Sequence, residues 1–117
     1  IKHTQPLSGE RNMLSKEDRL KEIEKKVNEN RVCLFMKGNK EMPQCGFSAK
    51  VVHILDALGT KYEAFDVLEE PYLREDVKEY SNWPTFPQLY INKEFIGGCD
   101  IVIELFETEE LQKMLAF

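Results

Sequence analysis

The chain has 117 residues, enough for one domain with a modest hydrophobic core. Apolar residues make up 42% of it and its net charge is -5, which fits a soluble globular protein and argues against a general nucleic-acid-binding surface. No apolar run approaches the roughly 20 residues of a membrane-spanning helix, and the first residues do not form a secretory signal.

Three cysteines, Cys33, Cys45 and Cys99, lie far apart in the chain. Their odd number and wide spacing make a poor disulfide framework and predict an intracellular, reducing compartment. They also lack the paired spacing of a zinc site. The chain begins at Ile1 rather than Met, which leaves three origins open: a removed targeting leader, a removed upstream domain, or an arbitrary boundary. The mitochondrial matrix or another organelle is favoured over the cytoplasm.

The first elements follow from hydrophobic periodicity. Residues 1–14 are polar and aperiodic, so we expect a flexible tail before a single domain over residues 15–117. Ser15 begins a run that resembles a capping box, and a stripe of apolar residues then predicts a helix to about Asn30. The unbroken apolar run over residues 32–36 predicts a strand that is buried on both faces of a parallel sheet.

The motif Cys45-Gly46-Phe47-Ser48 follows a short loop and opens a second helical pattern, which ends near Gly59. Cys45 therefore lies at a helix N-terminus, where unpaired N–H groups and the helix dipole favour a thiolate. A thiolate is both a nucleophile and a metal ligand, so the position suits redox or metal chemistry. Serine stands at position 48, where a Cys-x-x-Cys motif would carry its second thiol.

The remaining pattern predicts a strand over residues 62–68, a helix from Pro71 to about Tyr80 and a hairpin over residues 88–96. Asp100 is expected to cap a last helix that breaks near Thr108 and resumes. The strand-helix-strand unit implies a parallel pair with a right-handed crossover, and the hairpin adds two antiparallel strands. The predicted fold is therefore α/β, with a four-stranded mixed sheet and helices on both faces.

Three segments now carry a family resemblance. They are Phe35-Met36-Lys37-Gly38 ahead of the Cys45 motif, Trp83-Pro84-Thr85-Phe86-Pro87-Gln88, and Gly97-Gly98-Cys99-Asp100. In this order they resemble the monothiol glutaredoxins of the Cys-Gly-Phe-Ser type, over about residues 15–115. The resemblance implies a thioredoxin-like fold and a glutathione site. The departures from the family pattern are Cys33 in the first strand, Lys40-Glu41 in the loop, and Asp76.

The resemblance makes Cys45 the single catalytic thiol and the ligand of a 2Fe-2S cluster shared with a second subunit. Lys37 would lower the pKa of that thiol and pair with a carboxylate, and the alternative is an ordinary solvated lysine. Arg74 would meet the glycyl carboxylate of glutathione. The residues implied to bind glutathione are Lys37, Phe47, Arg74, Thr85, Phe86, Pro87, Gly98, Cys99 and Asp100.

By the same resemblance, Pro87 follows a cis peptide bond that leaves the Phe86 backbone facing Cys45; the alternative is a trans proline. Asp100 would meet the ammonium of the γ-glutamyl group, or would act only as a helix cap.

Other polar and aromatic residues receive simpler interpretations. Cys33 is expected to be a buried core thiol. Two roles stay open for Cys99, namely a disulfide with Cys45 or a backbone contact to glutathione. Trp83 and Tyr80 are expected to pack, and neither His3 nor His53 is expected to be a ligand.

The implied function is glutathione-dependent binding and transfer of a 2Fe-2S cluster in cluster assembly and iron homeostasis. One Cys45 thiolate and one glutathione thiolate from each of two protomers supply the four sulfurs that the cluster needs. The expected partners are glutathione, a second copy of the chain, and iron–sulfur scaffold or acceptor proteins, without nucleic acid or membrane. The alternative is a weak glutathione-dependent oxidoreductase that reduces protein–glutathione mixed disulfides through Cys45. A regulatory binding module is permitted but not indicated.

Overall fold

The computed structural model of the protein describes residues 14–117. His3 lies outside these residues, and so does the predicted tail except for its last residue, Leu14. The helices and strands are α1 (Lys16–Glu29), β1 (Val32–Met36), α2 (Gly46–Ala57), β2 (Glu63–Asp66), α3 (Leu73–Ser81), β3 (Gln88–Ile91), β4 (Glu94–Gly97), α4 (Cys99–Glu107) and α5 (Glu110–Met114). In this part of the chain, no helix combines the length and the apolar character that crossing a membrane requires.

The four strands form one mixed sheet in the order β2-β1-β3-β4. β1 runs parallel to β2, and β3 runs antiparallel to both β1 and β4. Leu34, at the centre of β1, pairs with Ala64 on one side and Leu89 on the other. The predicted fold class, a four-stranded mixed sheet with one parallel pair and an antiparallel hairpin, is therefore confirmed.

β1 is buried along its whole length and separates two hydrophobic clusters. Leu34 and Met36 point to the cluster that α2 and α4 cover, whereas Cys33 and Phe35 point to the cluster that α1 and α3 cover. This alternation follows from the period of two along a strand, which directs successive side chains to opposite faces. Cys33 is 0% exposed, which confirms that it is a core thiol.

The predicted helix starts are right at α1 and wrong at α3 and α4. The Ser15 hydroxyl accepts the Asp18 N–H at 3.1 Å and caps α1 as expected. α3 begins at Leu73 rather than Pro71, because Tyr72 adopts a left-handed conformation with φ of 66° and interrupts the helical path. α4 is capped by Gly98, so Asp100 lies within the first turn and is not the N-cap.

The predicted break near Thr108 is confirmed. Thr108 ends α4, and Glu109, with φ of 67°, turns the chain before α5 begins. β2 is shorter than predicted and ends at Asp66. The Asp66 carboxylate accepts the N–H groups of Gly38 and Leu68, each at 2.9 Å, and so turns the chain away from the sheet.

An ion pair fixes α1 against α3. The Arg19 Nε donates to Asp76 Oδ2 at 2.7 Å, and the two side chains are 13% and 5% exposed. The Arg19 guanidinium also lies 4.4 Å from the centre of the Tyr72 ring and donates to the Leu14 carbonyl. Asp76, noted above as a departure from the family pattern, is therefore one half of a buried contact that orients α3.

Candidate functional site

Cys45 is the N-cap residue of α2. Its backbone is extended, with φ of -152°, and its carbonyl accepts the Ala49 N–H at 2.9 Å as the first bond of the helix. The thiol is partly exposed. The pKa of Cys45 is lowered, first by the Ser48 backbone N–H and then by the Phe47 N–H, the positive charge of Lys37 and the Ser48 hydroxyl. The helix start thus favours a reactive thiolate.

The loop between β1 and α2 folds back on itself and brings Cys45 close to Lys37. The Gln44 N–H donates to the Lys37 carbonyl at 2.8 Å, and Gly38 forms a bridge with Pro43. Gly38 has φ of +86°, and a Cβ there would lie 2.5 Å from the Gln44 nitrogen, so the close approach requires glycine. Lys37 therefore acts on the Cys45 thiol electrostatically, as the sequence predicted.

Ser48 is a site residue that the sequence analysis treated only as a missing cysteine. Its side chain is 0% exposed, and its hydroxyl accepts the Lys37 backbone N–H at 3.2 Å. The same hydroxyl stabilises the Cys45 thiolate. Ser48 therefore links the end of β1 to the first turn of α2. The available sequence signal was its spacing, since Ser48 lies one helical turn before the buried apolar residues of α2.

A groove of about 500 Å³ opens beside the Cys45 thiol. We call it the Cys45 groove. It is lined by nine of the ten predicted site residues, namely Lys37, Cys45, Phe47, Arg74, Thr85, Phe86, Gly98, Cys99 and Asp100, and also by Lys78, Trp83, Pro84 and Ile101. Pro87 is buried next to it, after a cis peptide bond, as predicted. The structure therefore brings residues from five separate segments to one thiol.

The charges around the Cys45 groove are unequal. Lys37, Arg74 and Lys78 are basic, and Asp100 is the acidic residue among those that line it. Arg74 and Lys78 are four residues apart on α3, so they lie on the same helix face. Lys78, which the sequence analysis missed, also pairs with Glu75 at 3.3 Å. The groove therefore suits an anionic ligand that also carries one positive group.

Trp83 packs as expected and also lines the groove. Its ring centre lies 5.5 Å from that of Phe95, while Tyr80 packs on Tyr90 at 6.0 Å. The Trp83 Nε1 is buried and has no hydrogen-bond partner among the described residues. A Cβ on Gly98 would lie 3.4 Å from this nitrogen, so Gly98 allows α4 to begin close to the ring.

Phe86 has a buried side chain, and its backbone takes no part in backbone–backbone hydrogen bonding within residues 14–117. Its N–H and carbonyl are therefore available to an extended ligand in the groove, as in the addition of a strand to a sheet edge. Thr85, next to it, is exposed at the groove wall.

Cys99 is the first residue of α4 and is 8% exposed. Burial raises the pKa of Cys99, and the nearby charges of Asp100 and of the Cys45 thiolate raise it further. All three cysteines are free thiols. Within residues 14–117, His, Cys, Asp and Glu side chains do not form a group of three or more that could hold a metal ion, and His53 is exposed.

Comparisons with known proteins show which family this sequence and fold belong to. The glutaredoxin family model matches residues 32–96. The probable monothiol glutaredoxin 2 of Rickettsia typhi is 58% identical over 96 residues, which cover 82% of this chain and 86% of that protein. A truncated monomeric mutant of Trypanosoma brucei 1-C-Grx1 shares 46% identity, with a TM-score of 0.76 over 82% of this chain and 87% of the other.

A buckwheat glutaredoxin in complex with glutathione is 26% identical to this chain, with a TM-score of 0.74 and 94% of each chain covered. The family match, the relative at 58% identity and the four-stranded fold agree with one another. The chain belongs to the glutaredoxin family, among the monothiol glutaredoxins.

Proposed function

We propose that the protein binds glutathione in the Cys45 groove and carries a 2Fe-2S cluster as cargo between two copies of the chain. The observation that carries this proposal is the Cys45 thiol, which is partly exposed, has a lowered pKa and lies beside a groove with basic walls. A cluster of this type needs four sulfur ligands. One Cys45 and one glutathione from each of two protomers supply that number.

The groove residues fit glutathione by charge. The tripeptide has two carboxylates, one ammonium and one thiol. Lys37 and Arg74 offer cations for the carboxylates, and Asp100 offers a carboxylate for the ammonium. The backbone N–H groups at the start of α4 add a second anion-binding element, and Gly98, the cap residue, has no side chain that could occupy them. The glutaredoxin of known structure that holds glutathione supports this assignment.

The second candidate is a glutathione-dependent disulfide oxidoreductase. In that reaction the Cys45 thiolate attacks the glutathione sulfur of a mixed disulfide, forms a Cys45–glutathione disulfide and releases the protein thiol. A second glutathione then attacks that bond, leaves as glutathione disulfide and restores the thiolate. The lowered pKa of Cys45 favours the first step. Ser48 offers no thiol to resolve the intermediate, so turnover depends on free glutathione, and we favour the carrier.

Anaerobic reconstitution with iron, sulfide and glutathione tests the carrier role. We expect wild-type protein to gain the visible absorption of a 2Fe-2S cluster and Cys45→Ser to remain colourless but folded. Cys99→Ser is the matched control and should still take up cluster, because its thiol is buried and its pKa is raised. A wild-type amount of cluster on Cys45→Ser would contradict the proposal.

Light scattering coupled to size exclusion tests the sharing of the cluster. The protein with cluster should be a dimer and the protein without it mainly a monomer, because the single Cys45 ligand of one chain, with one glutathione, cannot complete the set of four sulfurs. A monomer with a full 2Fe-2S complement would rule out the bridged arrangement. A deglutathionylation assay on the same samples separates the two candidates, since rapid turnover would favour the enzyme.

We also propose that residues 15–117 form the folded unit, and that the protein works in a reducing compartment, in an organelle rather than the cytoplasm. The free thiols support the compartment. Limited proteolysis of the whole chain tests the boundary, and imaging of the tagged full-length protein tests the compartment.

A further inference from the structure

Gln88 is a fully buried amide next to the Cys45 groove but does not line it. It is the first residue of β3 and is 0% exposed, in a strand whose other three residues are also buried. Its Nε2 donates to the Trp83 carbonyl and to the Thr85 carbonyl, each at 3.1 Å. Both amide hydrogens are thus used on the loop over residues 83–87, which we call the Trp83 loop.

The orientation of this amide follows from its partners. If the oxygen and nitrogen were exchanged, a carbonyl-type oxygen would face two other carbonyl oxygens, which is repulsive. In the observed orientation, the Gln88 Oε1 is buried without a hydrogen-bond partner among the described residues. A buried polar atom left unpaired is unfavourable, so an apolar residue would suit this strand position better unless the two donated bonds were needed.

Those two bonds govern the backbone that the groove uses. With the carbonyls of Trp83 and Thr85 turned toward Gln88, the Phe86 N–H and carbonyl are among the backbone groups of this loop that remain available to a ligand. The loop is also held at its start, where the Trp83 N–H donates to the Lys78 carbonyl and the Ser81 hydroxyl. The two bonds from Gln88 therefore fix the rest of the Trp83 loop, as far as Thr85.

Trp83 connects this loop to the opposite side of the groove. The Gly98 position that begins α4 lies against both the Pro87 carbonyl, at 3.3 Å from a Cβ, and the Trp83 Nε1. A shift of the Trp83 loop would therefore move Thr85 and Phe86 and also disturb the start of α4. Cys45 belongs to a different segment, held by the β1–α2 loop and by Ser48.

We propose that Gln88 is a positioning residue for glutathione, which acts through the Trp83 and Thr85 carbonyls and sets the Phe86 backbone for the tripeptide. This inference rests on the proposed glutathione site. It predicts that loss of the two donors weakens glutathione binding and leaves the Cys45 thiolate unchanged. A residue with a purely structural role would not separate these two properties.

Gln88→Met removes both donors at similar volume, and Gln88→Asn keeps the amide but shortens its reach. Tyr62→Phe is the matched control, because it deletes another side-chain hydrogen bond of a buried residue, to Asp56 at 3.0 Å, away from the groove. Trp83 is the single tryptophan of the chain, so its fluorescence reports on the loop directly. The probes are acrylamide quenching, titration with reduced glutathione, and the pH dependence of Cys45 alkylation, all on the full-length reduced protein.

We expect Gln88→Met to make Trp83 more accessible to acrylamide and to weaken glutathione binding by roughly tenfold. Its Cys45 alkylation profile should match wild type, and Tyr62→Phe should change none of the three. Unchanged Trp83 quenching in folded Gln88→Met would overturn the proposal, as would equal glutathione affinity. If Gln88→Met does not fold, Gln88→Asn should show the same increase in Trp83 quenching and the same loss of glutathione affinity. The absence of either change in Gln88→Asn would then overturn the proposal.

Absence of glutathione binding by the wild type would instead refute the proposed function. The Trp83 quenching of the variants would still decide, separately, whether Gln88 holds the loop.

Discussion

Cys45 and Cys99 both stand at the start of a helix, and the pKa of the first is lowered while that of the second is raised. Cys45 is the N-cap residue, so the N–H groups of Ser48 and Phe47 point at its sulfur. Cys99 is one position inside its helix, is 8% exposed and lies next to Asp100. In this pair, directed N–H groups lower the pKa of the partly exposed Cys45 thiol, whereas burial raises the pKa of Cys99 although it also lies at a helix start.

The two regions also differ in what holds the backbone. Gly38 closes the loop before Cys45, and its missing Cβ would meet backbone atoms of Gln44 and Met42 at 2.5 and 2.6 Å. Gly97, ahead of Cys99, would meet the Ile101 side chain instead, at 2.7 Å. At Gly38 the clash is with loop backbone, whereas at Gly97 it includes the Ile101 Cβ at 2.8 Å, so a side chain there would have to displace the first turn of α4.

The largest expected effect is on folding. Gly38→Ala should lower the free energy of unfolding by about 3 kcal/mol, because the positive φ and the backbone clash both oppose a Cβ. Chemical denaturation measures this loss. Gly46→Ala is the control, since a Cβ at that position meets nothing within 4 Å, and it should be neutral or slightly stabilising. Equal stability of the two variants would show that the loop adjusts.

Ser48→Ala sharpens the comparison at the Cys45 helix. It removes the acceptor of the Lys37 N–H, so we expect a loss of about 1–2 kcal/mol of stability. The pKa of Cys45 should rise, because the hydroxyl that stabilises the thiolate is lost, but it should stay below the ordinary value because the Ser48 backbone N–H remains. Thermal unfolding and alkylation across pH measure the two effects. An unchanged pKa of Cys45 in this variant would show that the Ser48 hydroxyl does not stabilise the thiolate.

The smallest effects come from two lysines, each near one of the two thiols. Lys37→Met should raise the pKa of Cys45, and Lys50→Met should raise the pKa of Cys99, since each cation lowers its own thiol. Each variant is the control for the other. Both shifts should shrink in about 1 M salt, where charges are screened beyond roughly 3 Å. Crossed effects, with Lys50 acting on Cys45, would contradict the geometry.

Sequence periodicity was enough for the fold and for the place of Cys45, because the helix after it has a regular apolar stripe. The family resemblance supplied the groove residues and cis Pro87, which composition and spacing do not encode. The contribution of Ser48 was missed because its partner, the Lys37 N–H, lies 11 positions away and meets it only after the loop folds back.

The role of Lys78, which was not predicted, and the cap of α4, which was predicted wrongly, have similar causes. Lys78 reaches the groove because of the rotation of α3, which the contact between Arg19 and Asp76 helps to set across 57 positions of sequence. Asp100 was predicted to cap α4 from its residue type, whereas the backbone of the two preceding glycines places the cap at Gly98. Such tertiary and backbone effects leave no local pattern to read.

The most direct test of the account is the pH dependence of alkylation at Cys45 and Cys99, followed by mass spectrometry of each site in the reduced wild-type protein. The lowered pKa of Cys45 predicts that its labelling persists as pH falls below the ordinary thiol value of about 9 and declines only when its thiolate is protonated. Cys99, buried and with a raised pKa, should be labelled more slowly at every pH and should need a pH above that value. Equal labelling of both thiols across the same pH range would contradict the claim that directed N–H groups at the α2 start make Cys45 the reactive cysteine.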